Sequence, residues 1–185
     1  MFLFAIVLAI IIGYLLKGRL GNLNNLRFTS LYLVIIGFSI ELIMKILLKN
    51  EFLGIGYFTY FFNIIMYGLI MIFIVVNRKN KMVLIIGLGL LLNAIVIFSN
   101  NCTMPIGTRA MGFLGVSGNV EIKGLYSILT NETNFKILAD IIPYKVLRYG
   151  GIASIGDIII AIGVMGIIIK GMSFKKVYYK NYYDN

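Results

Sequence analysis

Five stretches of nearly unbroken apolar residues divide the chain: Phe2 to Leu16, Leu31 to Leu48, Tyr57 to Val76, Met82 to Phe98 and Ile155 to Ile169. A helix rising about 1.5 Å per residue needs about 20 residues to cross a hydrocarbon layer about 30 Å thick. The third run spans easily and the first and last are short, a mismatch that a bilayer absorbs by thinning locally. The pattern predicts an all-α fold, an integral membrane bundle of about five transmembrane helices in one domain (spans 2–16, 31–48, 57–76, 82–98 and 155–169). Residues 99–154 form a partly structured extracytoplasmic segment and residues 170–185 a basic cytoplasmic tail. The first run lacks a positive leader and an Ala-x-Ala cleavage signal before Lys17, so it is expected to stay as a span.

Lysine and arginine in the short connections set the orientation. Lys17, Arg19 and Arg27 follow the first run, Arg78, Lys79 and Lys81 separate the third and fourth, and Lys170, Lys175, Lys176 and Lys180 follow the fifth. These segments are assigned to the cytoplasm. The connection between the second and third runs, where Lys49 faces Glu51, and the long segment from Ser99 to Ser154 then fall outside, with the N-terminus outside and the C-terminus inside. The tail interleaves its lysines with Tyr178, Tyr179, Tyr182 and Tyr183, a composition that suits an anionic inner-leaflet surface and equally a solvated tail.

Composition strengthens the membrane reading. Hydrophobic residues make up 60% of 185, and the mean hydropathy of +0.95 exceeds what a soluble core of this size could bury. The formal charge of +10 sits between apolar runs, which argues for positive-inside loops and against nucleic acid as a partner. There is no histidine, which removes the commonest general base and metal ligand. Cys102 is the only cysteine, so no intramolecular disulfide and no cysteine-based zinc or iron–sulfur site can form. No metal or cofactor is expected. Gly112, Gly115 and Gly118 recur every third residue without a preceding strand or a following Gly-Lys-Ser, and read as loop punctuation.

Polar residues inside the runs gather at one depth. Glu41 and Lys45 on the second, Asn63 on the third and Asn93 on the fourth lie roughly 5 to 10 Å below the outer surface, at 1.5 Å per residue. Asp157, just inside the fifth run, joins them, as do Asn100 and Asn101 at the outer end of the fourth. A charge at mid-bilayer costs about 2.5 to 3.5 kcal/mol on insertion scales, so such groups face a bundle interior or a wet cavity. Glu41 and Lys45 stand four apart in the favoured order and can neutralise one another. Asn63 and Asn93 are each also explained by interhelical hydrogen bonds. Their shared depth points to an outward-open polar vestibule formed by Glu41, Lys45, Asn63, Asn93, Asn100 and Asn101.

The outer segment is too long for a structureless connection and is expected to cover the vestibule. Arg109 to Val116 and Ile122 to Leu129 read as interfacial helices, or as a short strand around Val120-Glu121-Ile122-Lys123. Pro105 and Pro143 are expected to break helices, and Gly150-Gly151 to give a flexible lead into the fifth span. Ser154-Ile155-Gly156-Asp157 fits a helix-capping box. Asp157 can also pair with Asp140; two carboxylates brought close cannot both ionise easily and can act as acid and base on a water.

Across nearly its whole length the chain resembles a family of small polytopic bacterial membrane proteins classed as a domain of unknown function. The residues that carry this are the basic first loop, Asn100-Asn101 with Met104-Pro105, Leu138-Ala139-Asp140-Ile141-Ile142-Pro143, and Gly156-Asp157. The resemblance implies a multi-pass protein of the bacterial plasma membrane and no activity. Gly156-Asp157-Ile158-Ile159-Ile160-Ala161-Ile162-Gly163 is similar to the last catalytic segment of lipoprotein signal peptidases, which implies a catalytic role for Asp157. Ser154 stands where that family has Asn, Gly156 replaces Ala, and the partner motif Gly-Asn-x-x-Asp-Arg is absent, leaving Asp140 to supply the second carboxylate.

Two functions are therefore expected in turn. The first is a non-enzymatic module that binds a small ligand or lipid, or serves as an accessory to a partner membrane protein. The second is an aspartic membrane peptidase using Asp140 and Asp157.

Overall fold

The computed structural model describes residues 1–50, 52, 54, 56–115, 125–146 and 149–173. Among these residues six α-helices, two short 3-10 helices and four short strands follow one another. Helix α1 covers Phe2–Leu15, α2 Tyr32–Lys49, α3 Tyr57–Val76 and α4 Lys81–Ser99. Strand β1 (Met104–Ile106), the short helix α5 (Thr108–Phe113) and strands β2 (Tyr126–Ile128), β3 (Ile142–Val146) and β4 (Tyr149–Ala153) lead to α6, Ile155–Met172.

Two of the long helices begin on side-chain caps. Asn80 accepts a hydrogen bond from the Met82 backbone N–H at 3.0 Å to open α4, and Ser154 opens α6, each satisfying an amide that the helix leaves unpaired. Helices α3, α4 and α6 are long and apolar enough to cross a membrane, with mean hydropathies of 2.2, 2.6 and 2.0 over 18-residue windows. Within the protein they bury only 33%, 22% and 28% of those windows, so their outward faces remain apolar and uncovered. Helix α2 carries three charged residues, Glu41, Lys45 and Lys49, and α1 has 14 residues.

Helix α6 is the hub of the bundle. It packs most extensively on α4 and also on α1, while α2 pairs with α3 and α3 meets α4 over a smaller area. Small residues make the α4–α6 crossing close: a Cβ on Gly89 would lie 2.5 Å from the Gly156 carbonyl oxygen, and one on Gly163 would strike Ile86. On α3, Met66, Ile70, Phe73 and Ile74 join Val83 of α4 in the larger core, against Phe28, Leu33 and Ile40. A smaller cluster of Val96, Met104 and Ala139 fastens the β-containing segment to the end of α4.

The helices alternate in direction, so the described acids gather at one end while basic residues lie at both. One end holds Lys17, Arg19, Arg27, Arg78, Lys79, Lys81 and Lys170, and the backbone there is tied by the Arg19 N–H and the Asn22 side chain donating to the Met172 carbonyl at 3.0 and 2.6 Å. The acidic residues among those described, Glu41, Glu132, Asp140 and Asp157, belong to the opposite half, with the strands.

The strands correct the all-α expectation. Strand β1 pairs parallel with β2, and β3 pairs antiparallel with β4. The stretch expected as an interfacial helix up to Leu129 contains β2, while Arg109 to Phe113 is helical as part of α5. Pro105 and Pro143 break no helix; they lie in β1 and β3, and in β1 the Met104 N–H and the Ile106 carbonyl on either side of Pro105 make the bonds to the β2 segment, so that ladder needs no N–H from the proline. Gly150 and Gly151 are not a free lead-in but strand residues paired with Lys145 and Tyr144, and a Cβ on Gly151 would strike the Tyr144 ring. The expected strand at Val120 to Lys123, Gly118, Glu51 and the tail beyond Ser173 lie outside the described residues.

Candidate functional site

The start of α6 is built by its own sequence. The Ser154 hydroxyl accepts the Asp157 backbone N–H at 3.0 Å, and the Ser154 N–H donates to Asp157 Oδ2 at 3.3 Å, so the capping box forms. The box leaves Asp157 Oδ1 and the Ser154 hydroxyl proton free, and Asn93 of α4 takes both. Its Nδ2 donates to Asp157 Oδ1 at 2.8 Å, and its Oδ1 accepts from Ser154 Oγ at 2.8 Å. Gly156 makes this three-residue closure possible, since a Cβ there would collide with the Asn93 amide. Asn93 thus spends both ends of its amide across the α4–α6 crossing, in keeping with its reading as an interhelical tie.

Asp140 approaches from the β-containing segment. Its backbone is fixed on both sides: its N–H donates to the Pro105 carbonyl at 2.9 Å and its carbonyl accepts from Gly107 at 2.8 Å. The residue is 7% exposed, and Oδ1 is buried without a hydrogen-bond partner. Burial, and after it the negative charge of Asp157, push its carboxyl up to about 7. No hydrogen bond joins the two carboxyl groups among the described residues.

Tyr126 of β2 stands among these charges. Desolvation raises its hydroxyl above the ordinary value; Lys45 works against that, and Asp140, Glu41 and Asp157 add to it. One phenol therefore lies within electrostatic reach of α2, of the Asp140 segment and of α6. Tyr126 was not legible as a site residue, because no spacing relates a lone tyrosine in the outer segment to groups on three other elements.

The other predicted residues separate into local roles. Glu41 and Lys45 form an ion pair at 2.5 Å on a partly exposed face of α2. Asn63 is buried and donates to the Thr59 carbonyl of its own helix at 2.9 Å. Beside it, burial pushes the Cys102 thiol up to about 11, with Asn63 opposing, which favours the neutral thiol of a packed side chain. Asn100 knits the end of α4 to the outer segment, donating to the Val96 and Asn134 carbonyls at 2.8 and 3.0 Å and accepting from the Asn134 N–H at 2.9 Å. Asn101 accepts from the Tyr60 hydroxyl at 3.4 Å, in a left-handed turn shared with Cys102 at φ 53° and 55°.

Asn93 and Asp157 are therefore joined directly, with Ser154; Asp140, Lys45 and Tyr126 are related to Asp157 through charge, and Glu41 pairs with Lys45; Asn63, Asn100 and Asn101 hold the surrounding frame. Among the described residues no group of three or more metal-ligating side chains occurs. Chemically, the arrangement offers a buried carbonyl-type acceptor at Asp140 beside a hydrogen-bonded carboxylate at Asp157.

Neither a curated protein nor a solved structure matches the chain. Residues 25–169, which include all of α2, α3 and α4 and every site residue named above, match DUF5317, a family of unknown function. The chain belongs to the DUF5317 family.

Proposed function

We propose that this chain is a multi-pass membrane protein whose outward half binds a small polar ligand at Asp140. In this reading α1, α2, α3, α4 and α6 all cross the bilayer, the basic end faces the cytoplasm, and the strands cover a site shared by Asp140, Tyr126, Asn93, Ser154 and Asp157. The observation that carries it is the buried Asp140 Oδ1 with no partner. Leaving a buried acceptor unsatisfied costs about 1 to 3 kcal/mol, a cost that a ligand N–H, O–H or positive charge removes on binding. Asp157 is already engaged by Asn93 and Ser154, so it sets the local field and Asp140 makes the contact.

Small amines, amino alcohols and polyols offered to the purified protein are expected to raise its melting temperature, and to lose that effect in Asp140→Leu. Compounds that stabilise Asp140→Leu equally well, or no stabilising compound of these classes, would contradict the reading.

One observation favours a hydrolase as the second reading. A carboxyl raised to about 7 near a second carboxylate is the division of labour that acid–base catalysis on a water needs. Under it, Asp140→Asn and Asp157→Asn each abolish cleavage of a lipid-linked peptide presented at the outer leaflet, whereas ligand binding without turnover supports the first reading.

A further inference from the structure

At the basic end the structure contains a pocket of about 480 Å³ lined by Leu26, Lys79, Asn80, Lys81, Ile167 and Lys170. Its walls come from three places in the chain: the segment between α1 and α2, the turn from α3 into α4, and the last turn of α6. The three lysines are exposed at the rim, and Leu26, Asn80 and Ile167 are half-buried beneath them. Helix α4 begins in the same place with no acidic residue in its first turn, so the positive end of its dipole adds to the lysine charges. No acid among the described residues lies at this end, and the only ion pair among them, Lys45 with Glu41, lies in the other half. Three ammonium groups held around one pocket repel each other, and an anion between them relieves that repulsion.

The lining also specifies what the anion carries. Leu26 and Ile167 give the pocket an apolar side, and Ile167 is continuous with the core formed by Met66, Ile70 and Phe73. A free phosphate would leave that side unfilled. We infer that this pocket holds the phosphate headgroup of an anionic phospholipid, its diester between Lys79, Lys81 and Lys170 and the start of its chains against Leu26 and Ile167. The leaflet is the cytoplasmic one, which rests on the orientation proposed above; the pocket itself does not.

The test uses the full chain in detergent and native mass spectrometry, with phosphatidylglycerol and phosphatidylcholine of the same acyl chains. Wild type is expected to retain phosphatidylglycerol in preference to phosphatidylcholine. The triple variant Lys79→Gln, Lys81→Gln, Lys170→Gln is expected to retain it about a hundredfold less, at roughly fivefold for each of three lysines near an anionic headgroup. The matching triple change to arginine should restore retention, which separates loss of charge from loss of fold. Lys17→Gln with Arg19→Gln, at the same end but outside the pocket, should leave retention unchanged. Equal retention of the two lipids, an undiminished glutamine triple variant, or an equal loss in the Lys17 and Arg19 variant would overturn the proposal. Displacement of phosphatidylglycerol by inorganic phosphate at comparable concentration would identify free phosphate as the ligand and overturn the lipid assignment. Because the assay is blind to orientation, a reversed topology would move the lipid to the other leaflet without changing these results.

Discussion

At the scale of single residues, the balance between burial and hydrogen bonding decides what each polar group does. Asp140 binds its proton more tightly in the folded protein, near 7, than at the ordinary 3.8. Between those values the folded state holds more protons than the unfolded state, so stability falls as pH rises, being highest below about 3.8 and lowest above about 7. A gap of about three pH units corresponds to on the order of 4 kcal/mol. Thermal melting between pH 4 and 8 should therefore show a decline in wild type that Asp140→Asn flattens, and a parallel decline in the variant would remove Asp140 as its source. Asn93 gives the opposite case. Its amide satisfies Asp157 and Ser154 together, so Asn93→Ala should cost about 1 to 3 kcal/mol by chemical denaturation. An unchanged midpoint would mean that neither bond contributes.

At the scale of elements, the bundle depends on how closely α4 and α6 approach. Gly89→Val should destabilise by about 1 to 3 kcal/mol or more, because its side chain would enter the α6 backbone. Gly68 of α3 meets nothing within 4 Å, so Gly68→Ala should be neutral or stabilise by up to about 1 kcal/mol, the helix-propensity difference. Equal effects of the two substitutions on melting temperature would show that the crossing is not tight.

The apolar runs made the helices readable, because a long run of apolar residues has few other folds available, and Ser154 with Asp157 made the start of α6 readable to the residue. The outer segment was not readable in the same way. Its strands are three to five residues long, and β1 finds β2 some twenty residues away, a non-local pairing that no local period encodes. Prolines 105 and 143 pointed to breaks for the same reason: the sequence shows the missing N–H, and only the pairing shows that each proline sits within a strand. The site was legible in part. Depth alone gathered Asn93 and Asp157, and structure added Ser154 as their bridge and Tyr126 as a neighbour, while Asn63 turned to its own helix and Asn100 to the backbone of the outer segment.

At the scale of the whole molecule the two ends differ: one is basic without a described acid, with lysines around an apolar-sided pocket, and the other carries the described acids and the short strands beside basic residues such as Lys136 and Lys145. The measurement that tests this most directly is labelling of single cysteines in intact cells with a membrane-impermeant maleimide. Cys102 is buried and the only natural cysteine, so Cys102→Ser gives a silent background. In it, Lys145→Cys on β3 is expected to label in intact cells, and Lys79→Cys between α3 and α4 only after the membrane is opened. Labelling of Lys79→Cys in intact cells, with Lys145→Cys protected, would contradict the account and turn the Asp140 site toward the cytoplasm.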